Sequence, residues 1–129
     1  MKNIIFSLFL IYSLDGVAQY QLYGLKLEQI LSIHTERKEL MNREGVFYIH
    51  EKTTRQDVFY YFDEKGVCDK ILMVPKPDYL VPAILYFNTS DEVSKIDEGK
   101  WVYVMQNGMM LLISYYQEGD YKCFIIVKI

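Results

Sequence analysis

Six short polar breaks cut residues 42–120 into brief apolar runs, and that spacing leaves little room for anything but antiparallel strands. Asn42-Arg43-Glu44-Gly45 reads as a turn ahead of Val46–Glu51. Lys52–Gln56 is a polar turn ahead of Val58–Phe62, and Asp63-Glu64-Lys65-Gly66 is a hairpin loop that returns the chain through Val67–Val74. Asp97-Glu98-Gly99 precedes Trp101–Met105, Asn107-Gly108 separates two apolar runs, and Gln117–Asp120 joins Met109–Tyr116 to Tyr121–Lys128. Asn-Gly supplies the positive φ that a tight hairpin requires, because only the mirror-image turns match the right-handed twist of the strands they join. The runs are rich in Val, Ile, Tyr and Phe, whose branched or flat side chains suit a pleated surface.

Two segments carry helical spacing instead. Leu27, Ile30, Leu31 and His34 fall at i, i+3, i+4 and i+7, which predicts a helix over residues 25–33. After Pro75 and Pro77, Asp78 is a candidate cap for a second helix with Leu80, Val81, Ile84 and Leu85 on its apolar face. Pro82 lies in its first turn, where a missing N–H costs little. The predicted fold class is α+β, mainly an antiparallel sheet with two helices on one face.

Residues 1–18 stand apart from this pattern. Lys2 gives a positive start, Ile4–Leu14 is an apolar run, and Gly16-Val17-Ala18 places small residues ahead of Gln19, the order of a secretory signal. About 11 apolar residues are too few for a bilayer core, which needs roughly 20. The expectation is an exported protein, periplasmic or extracellular, whose mature chain is one domain over residues 19–129 without a transmembrane segment. That chain holds 129 − 18 = 111 residues, enough for a single core.

Charge narrows the partners. The chain carries 14 basic and 17 acidic residues for a net charge of −3, and its cations are scattered. A phosphate backbone is bound by releasing counterions to clustered Lys and Arg, so nucleic acid is not an expected partner. Cys68 and Cys123 are compatible with either a disulfide, which export permits, or two buried thiols. No metal or cofactor is expected: two histidines 16 residues apart, without Cys or carboxylate at ligand spacing, do not make a zinc site, and the glycines form no phosphate-cradling loop. Asp63-Glu64, Asp91-Glu92 and Asp97-Glu98 fall in turns or at a helix exit, where carboxylates are ordinarily solvated.

The halves resemble one another. A shift of 54 lays residues 23–75 over 77–129 without a gap, matching Ile30 with Ile84, Glu44-Gly45 with Glu98-Gly99, Tyr61 with Tyr115 and Ile71 with Ile125, among 8 identities in 53 positions. Both halves read as one helix followed by four strands, which suggests a tandem α-β(4) repeat. That layout resembles the β-lactamase-inhibitor-protein-like fold across residues 23–129. The strand–turn–strand Tyr60-Tyr61-Phe62-Asp63-Glu64-Lys65-Gly66-Val67-Cys68 is similar to segments of small exported proteins of Gram-negative bacteria. Such resemblance implies an exported binding or interaction module and transfers no activity.

The feature most suggestive of function is the aromatic content of the strands, 16% for the chain as a whole. Side chains alternate between the two faces of a strand, so runs such as Phe59-Tyr60-Tyr61-Phe62 place rings on both faces, and helices can cover only one. Taking Val102 and Val104 as core-facing puts Trp101 and Tyr103 on the open side; likewise Phe59 and Tyr61 are taken inward and Tyr60 outward. The expected binding surface is therefore Trp101, Tyr103, Tyr60, Tyr48 and His50, and it would hold a protein partner or an extended ligand at the cell envelope. Two rival readings are a small envelope enzyme using His50 with a nearby carboxylate as acid and base, and a structural homodimer whose aromatic face pairs with itself. N-terminal sequencing of the protein recovered after export should begin at Gln19; a chain that still begins at Met1 would remove the signal reading.

Overall fold

The computed structural model describes residues 20–33 and 37–129, so the expected signal at residues 1–18 and His34 of the predicted helical stripe lie outside the described residues. After a turn at residues 21–24, a single helical turn α1 (Leu27–Leu31) leads to four strands: β1 (Arg37–Arg43), β2 (Val46–Lys52), β3 (Gln56–Phe62) and β4 (Cys68–Pro75). A 3-10 turn (Pro77–Tyr79) runs into helix α2 (Leu80–Thr89), and four more strands follow: β5 (Val93–Asp97), β6 (Lys100–Val104), β7 (Met110–Glu118) and β8 (Tyr121–Lys128). All eight form one antiparallel sheet in the order β1-β2-β3-β4-β8-β7-β6-β5. The fold is α+β, as expected from the turns. Among the described residues no helix is long and apolar enough to cross a membrane.

The hairpins form where turn chemistry allows. Glu44 and Gly45 both take positive φ, 55° and 85°, the pair of values that a two-residue mirror-image turn requires. Asp63 accepts the backbone N–H groups of Lys65 and Val67 through Oδ1 and so fixes the β3–β4 loop. Within the β2–β3 loop, the buried Thr53 hydroxyl donates to the Gln56 carbonyl and accepts from the N–H groups of Arg55 and Gln56.

Helix α2 does not bury the face its sequence suggests. Val81 and Leu85 are exposed, and Ala83, Tyr86 and Phe87 are buried instead, with Leu80 and Ile84 packed at the margin. Asp78 makes no capping bond; the 3-10 turn precedes α2, and Tyr79 holds the cap position without a side-chain bond. The core lies between the helices and one sheet face. Phe87 packs on Trp101 (ring centroids 5.3 Å apart) and Phe124 (5.0 Å), and Tyr20 packs edge-on against Tyr103 at 4.7 Å. The Tyr20 hydroxyl donates to Glu92, and burial holds this phenol far above its ordinary pKa. The covered lane of the sheet runs Ile49–Tyr60–Ile71–Ile126–Ile113–Trp101 through successive cross-strand pairs, and the exposed Leu40 continues it on the edge strand β1.

A charged network interrupts that apolar face. Lys38 Nζ lies 3.0 Å from Glu51 Oε2, and Tyr60 donates to Glu51 Oε1 at 3.0 Å; the Lys38 and Glu51 side chains are 5% and 1% exposed. Lys38 also donates to the Ile33 carbonyl, which ties β1 to the end of α1. A buried pair is tolerated when both partners remain and is costly once one is removed.

Strands β5–β8 start 56, 54, 54 and 53 residues after β1–β4 respectively. A constant shift of 54 keeps Phe47 and Trp101 on the same face of the sheet. In the last two strands of each half it fails, because Tyr61 and Ile71 fall on opposite faces of the sheet from Tyr115 and Ile125. A one-residue slip reverses every side chain of a strand, so those two identities are not structural equivalents, and 53 is the shift that keeps Ile71 with Phe124 on the covered face. Replacing Trp101 by Ala should cost about 3–5 kcal/mol, read as a lower midpoint of chemical unfolding. A midpoint that does not move would contradict its placement in the core.

Candidate functional site

The face of the sheet turned away from the helices is the candidate site. Hydrogen-bond register assigns it strand by strand. Met41, Tyr48, Tyr61 and Lys70 form one lane across β1–β4, and Glu39, His50, Phe59, Leu72, Ile125, Ser114 and Lys100 form a second from β1 to β6. Val127, Leu112 and Val102 extend the apolar surface towards the β5 edge.

Aromatic side chains concentrate over β2 and β3. His50 stacks flat on Phe59, with ring centroids 4.5 Å apart and planes 13° apart. Its Nε2 lies 3.2 Å from Asp57 Oδ1, which fixes the ring's orientation. Tyr48 is 5.4 Å from Tyr61 and 6.2 Å from Phe59. Lys70 Nζ sits 4.6 Å from the centre of the Tyr61 ring, within range of an attraction between a cation and the ring face. Burial among these neighbours pushes the Tyr61 phenol above its ordinary pKa, Tyr48 adds to the rise, and the Arg43 cation opposes it.

Of the five residues expected to form the surface, the structure brings two together here, Tyr48 and His50. The other three lie on the covered face. Trp101 is 2% exposed beneath Phe87, and its indole N–H donates to Asn88 Oδ1 at 3.1 Å. Tyr103 packs on Tyr20, and Tyr60 is fully buried with its hydroxyl on Glu51. Correspondingly, Val102 and Val104 face the open side, and Phe59 and Tyr61 point outward, not inward. The reversal has a physical reason: β6 reads Trp-Val-Tyr-Val and β3 reads Val-Phe-Tyr-Tyr-Phe, so both faces of each strand are apolar and alternation alone carries no sign. Lys70 was the available signal. Tracing the hairpins pairs Tyr61 with Lys70 and Tyr60 with Ile71, and the lane that ends on a lysine is the one facing water.

The cysteines do not meet. Both are free and buried. Cys68 belongs to the helix-covered core, whereas Cys123 pairs with Tyr116 on the open face. Continuing the β4–β8 register puts Cys123 opposite Val74, six residues along β4 from Cys68, or about 20 Å at the rise of a strand. A disulfide needs Cα atoms within about 7 Å. Burial pushes the Cys68 thiol up to about 12 and raises that of Cys123, so neither forms a thiolate readily near neutral pH.

Clefts among the described residues that lie away from the aromatic lanes include three. One of about 330 Å³ is lined by Gln21, Tyr103, Met105, Gln106 and Asn107, one of about 210 Å³ lies between Pro77 and Tyr121, and an open one borders Asp63 and Asp69. Among the described residues no group of His, Cys, Asp and Glu is placed to hold a metal ion. Comparison with protein-family models, with curated proteins and with solved structures finds no match. An intact-mass measurement without reductant should show two thiols, and a thiol-reactive disulfide reagent at pH 8 should modify neither cysteine until denaturant is added. A mass lower by two hydrogens would contradict the separation of Cys68 from Cys123.

Proposed function

We propose that this chain is an exported, non-enzymatic binding module that holds a protein partner against the open face of its sheet. The observation that carries this reading is a sheet face that no described element covers, whose two central lanes hold the half-buried Tyr48, Phe59, Tyr61, Leu72 and Ile125. A contiguous apolar surface of this kind on a small domain marks an interaction site more often than an unused face. Tyrosine suits it, because the ring supplies contact area at small entropic cost and keeps a polar tip. The sheet edges favour the face over the rim: β1 carries Glu39 and Arg43, and β5 is short, charged and bulged, features that discourage an added strand. The secretory pattern of residues 1–18 supports an envelope or extracellular setting. One helix and four strands occurring twice, with β4 and β8 meeting at the centre of the sheet, supports the tandem-repeat reading and the resemblance to the β-lactamase-inhibitor-protein-like layout.

A second reading has an observation of its own. His50 is oriented by Asp57, the arrangement of a general base held by a carboxylate. The pair lies on the flat aromatic surface, outside the three clefts described above, so the binding reading accounts for more of the site.

Leu72→Lys, at the centre of the open face, should abolish capture of the partner from an envelope extract, or abolish a homodimer seen by native mass spectrometry. Val81→Lys, on the exposed side of α2, should leave either association intact. Equal behaviour of the two variants would sink the open-face reading, and an activity lost only in His50→Ala would favour the enzyme.

A further inference from the structure

One corner of the open face has a chemistry that the rest lacks. Lys70 leans over the Tyr61 ring, Tyr61 packs beside Tyr48, and Arg43 lies on the same face, two residues beyond the Met41–Tyr48 pair. The Arg43 cation opposes the rise that burial imposes on the Tyr61 phenol. Among the described residues, neither Arg43 nor Lys70 has a carboxylate partner. The carboxylates that β1 and β3 place on this face, Glu39 and Asp57, stand four residues further along their strands, about 13 Å away at the strand rise, and Asp57 is engaged by His50. Glu44 at the turn and Asp69 at the β-bulge are nearer in sequence, but neither makes an ion pair with these cations. In a chain of 17 acidic and 14 basic residues, two unpaired cations over a floor of two phenols are not forced by composition.

We propose that the corner formed by Arg43, Tyr48, Tyr61 and Lys70 receives the side-chain carboxylate of a protein partner, an Asp or Glu flanked by an apolar residue that lies on Phe59 and Leu72. This rests on the open-face reading above and supplies the partner's chemistry. Two cations and two hydroxyls can all donate to one carboxylate, and bonds between charged groups are stronger than neutral ones. The adjoining lane offers only apolar contact, so the ligand must be amphipathic. A bare phosphate would leave Phe59 and Leu72 uncovered, and two cations fall short of the basic tract that a nucleic acid requires.

The test is an amide-resolved NMR titration with the capped peptide acetyl-Phe-Glu-Leu-amide and its Gln and Lys counterparts. The Glu peptide should shift the amides around Tyr48, Tyr61 and Lys70, and it should bind about threefold to tenfold more tightly than the Gln peptide. The double variant Arg43→Gln with Lys70→Gln should remove the preference for the Glu peptide over the Gln peptide, and a preference that persists would overturn the carboxylate assignment. If Glu and Gln peptides bind this face equally, the carboxylate assignment is overturned while the open-face reading stands. If no peptide perturbs the face, or all perturb a different surface, both fall.

Discussion

The seating of Phe87 against Trp101 and Phe124 decides which side of this sheet is covered. The contact joins α2 to β6 and β8, with ring centroids 5.3 Å and 5.0 Å apart. Aromatic pairs of this geometry contribute roughly 0.5–1.5 kcal/mol beyond their buried area. Because strand side chains alternate, fixing Trp101 beneath the helix fixes the facing of every residue in its lane, from Ile113 through Ile126 and Ile71 to Tyr60 and Ile49. The alternate residues of each strand, including His50, Phe59, Tyr61 and Lys70, are thereby turned to the other face.

The consequence is an asymmetry between two apolar surfaces. The covered one is sealed by Tyr20, Ile30, Tyr86 and Phe87, and its buried charges, Lys38 and Glu51, have each other and the Tyr60 hydroxyl. Such a network does little for net stability, yet it penalises any register that would separate its members. Among the described residues the open surface has no such covering. Its polar groups are few and set among rings: His50 on Phe59, Lys70 on Tyr61. The proposed partner would cover this surface, with its carboxylate at the corner of Arg43 and Lys70.

Much of the fold was legible in the sequence because turns are local. Glu44-Gly45, Asp63–Gly66 and Asn107-Gly108 mark hairpins through residues that accept the required φ, and the strands begin and end close to where those signals fall. Helix α2 was legible as a helix, but its buried side was not: Ala83, Tyr86 and Phe87 are selected by the aromatic pocket they enter, a property of Trp101 and Phe124 that no local window contains. The site was half legible. Tyr48 and His50 were expected on the open face and are there, whereas Trp101, Tyr103 and Tyr60 were expected there and are covered. Apolar residues on both faces of β3 and β6 remove the contrast on which alternation depends, and a single reversed strand reverses its neighbours. The internal match at a shift of 54 misled in the same way, since it is blind to a one-residue slip that changes the face.

The most direct measurement is paramagnetic relaxation of the side-chain ring protons by a soluble gadolinium chelate in the isolated protein. The account predicts strong relaxation at Phe59 and Tyr61 and little at Trp101 and Tyr60. Strong relaxation at Trp101 and Tyr60 with protection of Phe59 and Tyr61 would mean that the helices cover the other face, and the assignment of the binding surface would be wrong.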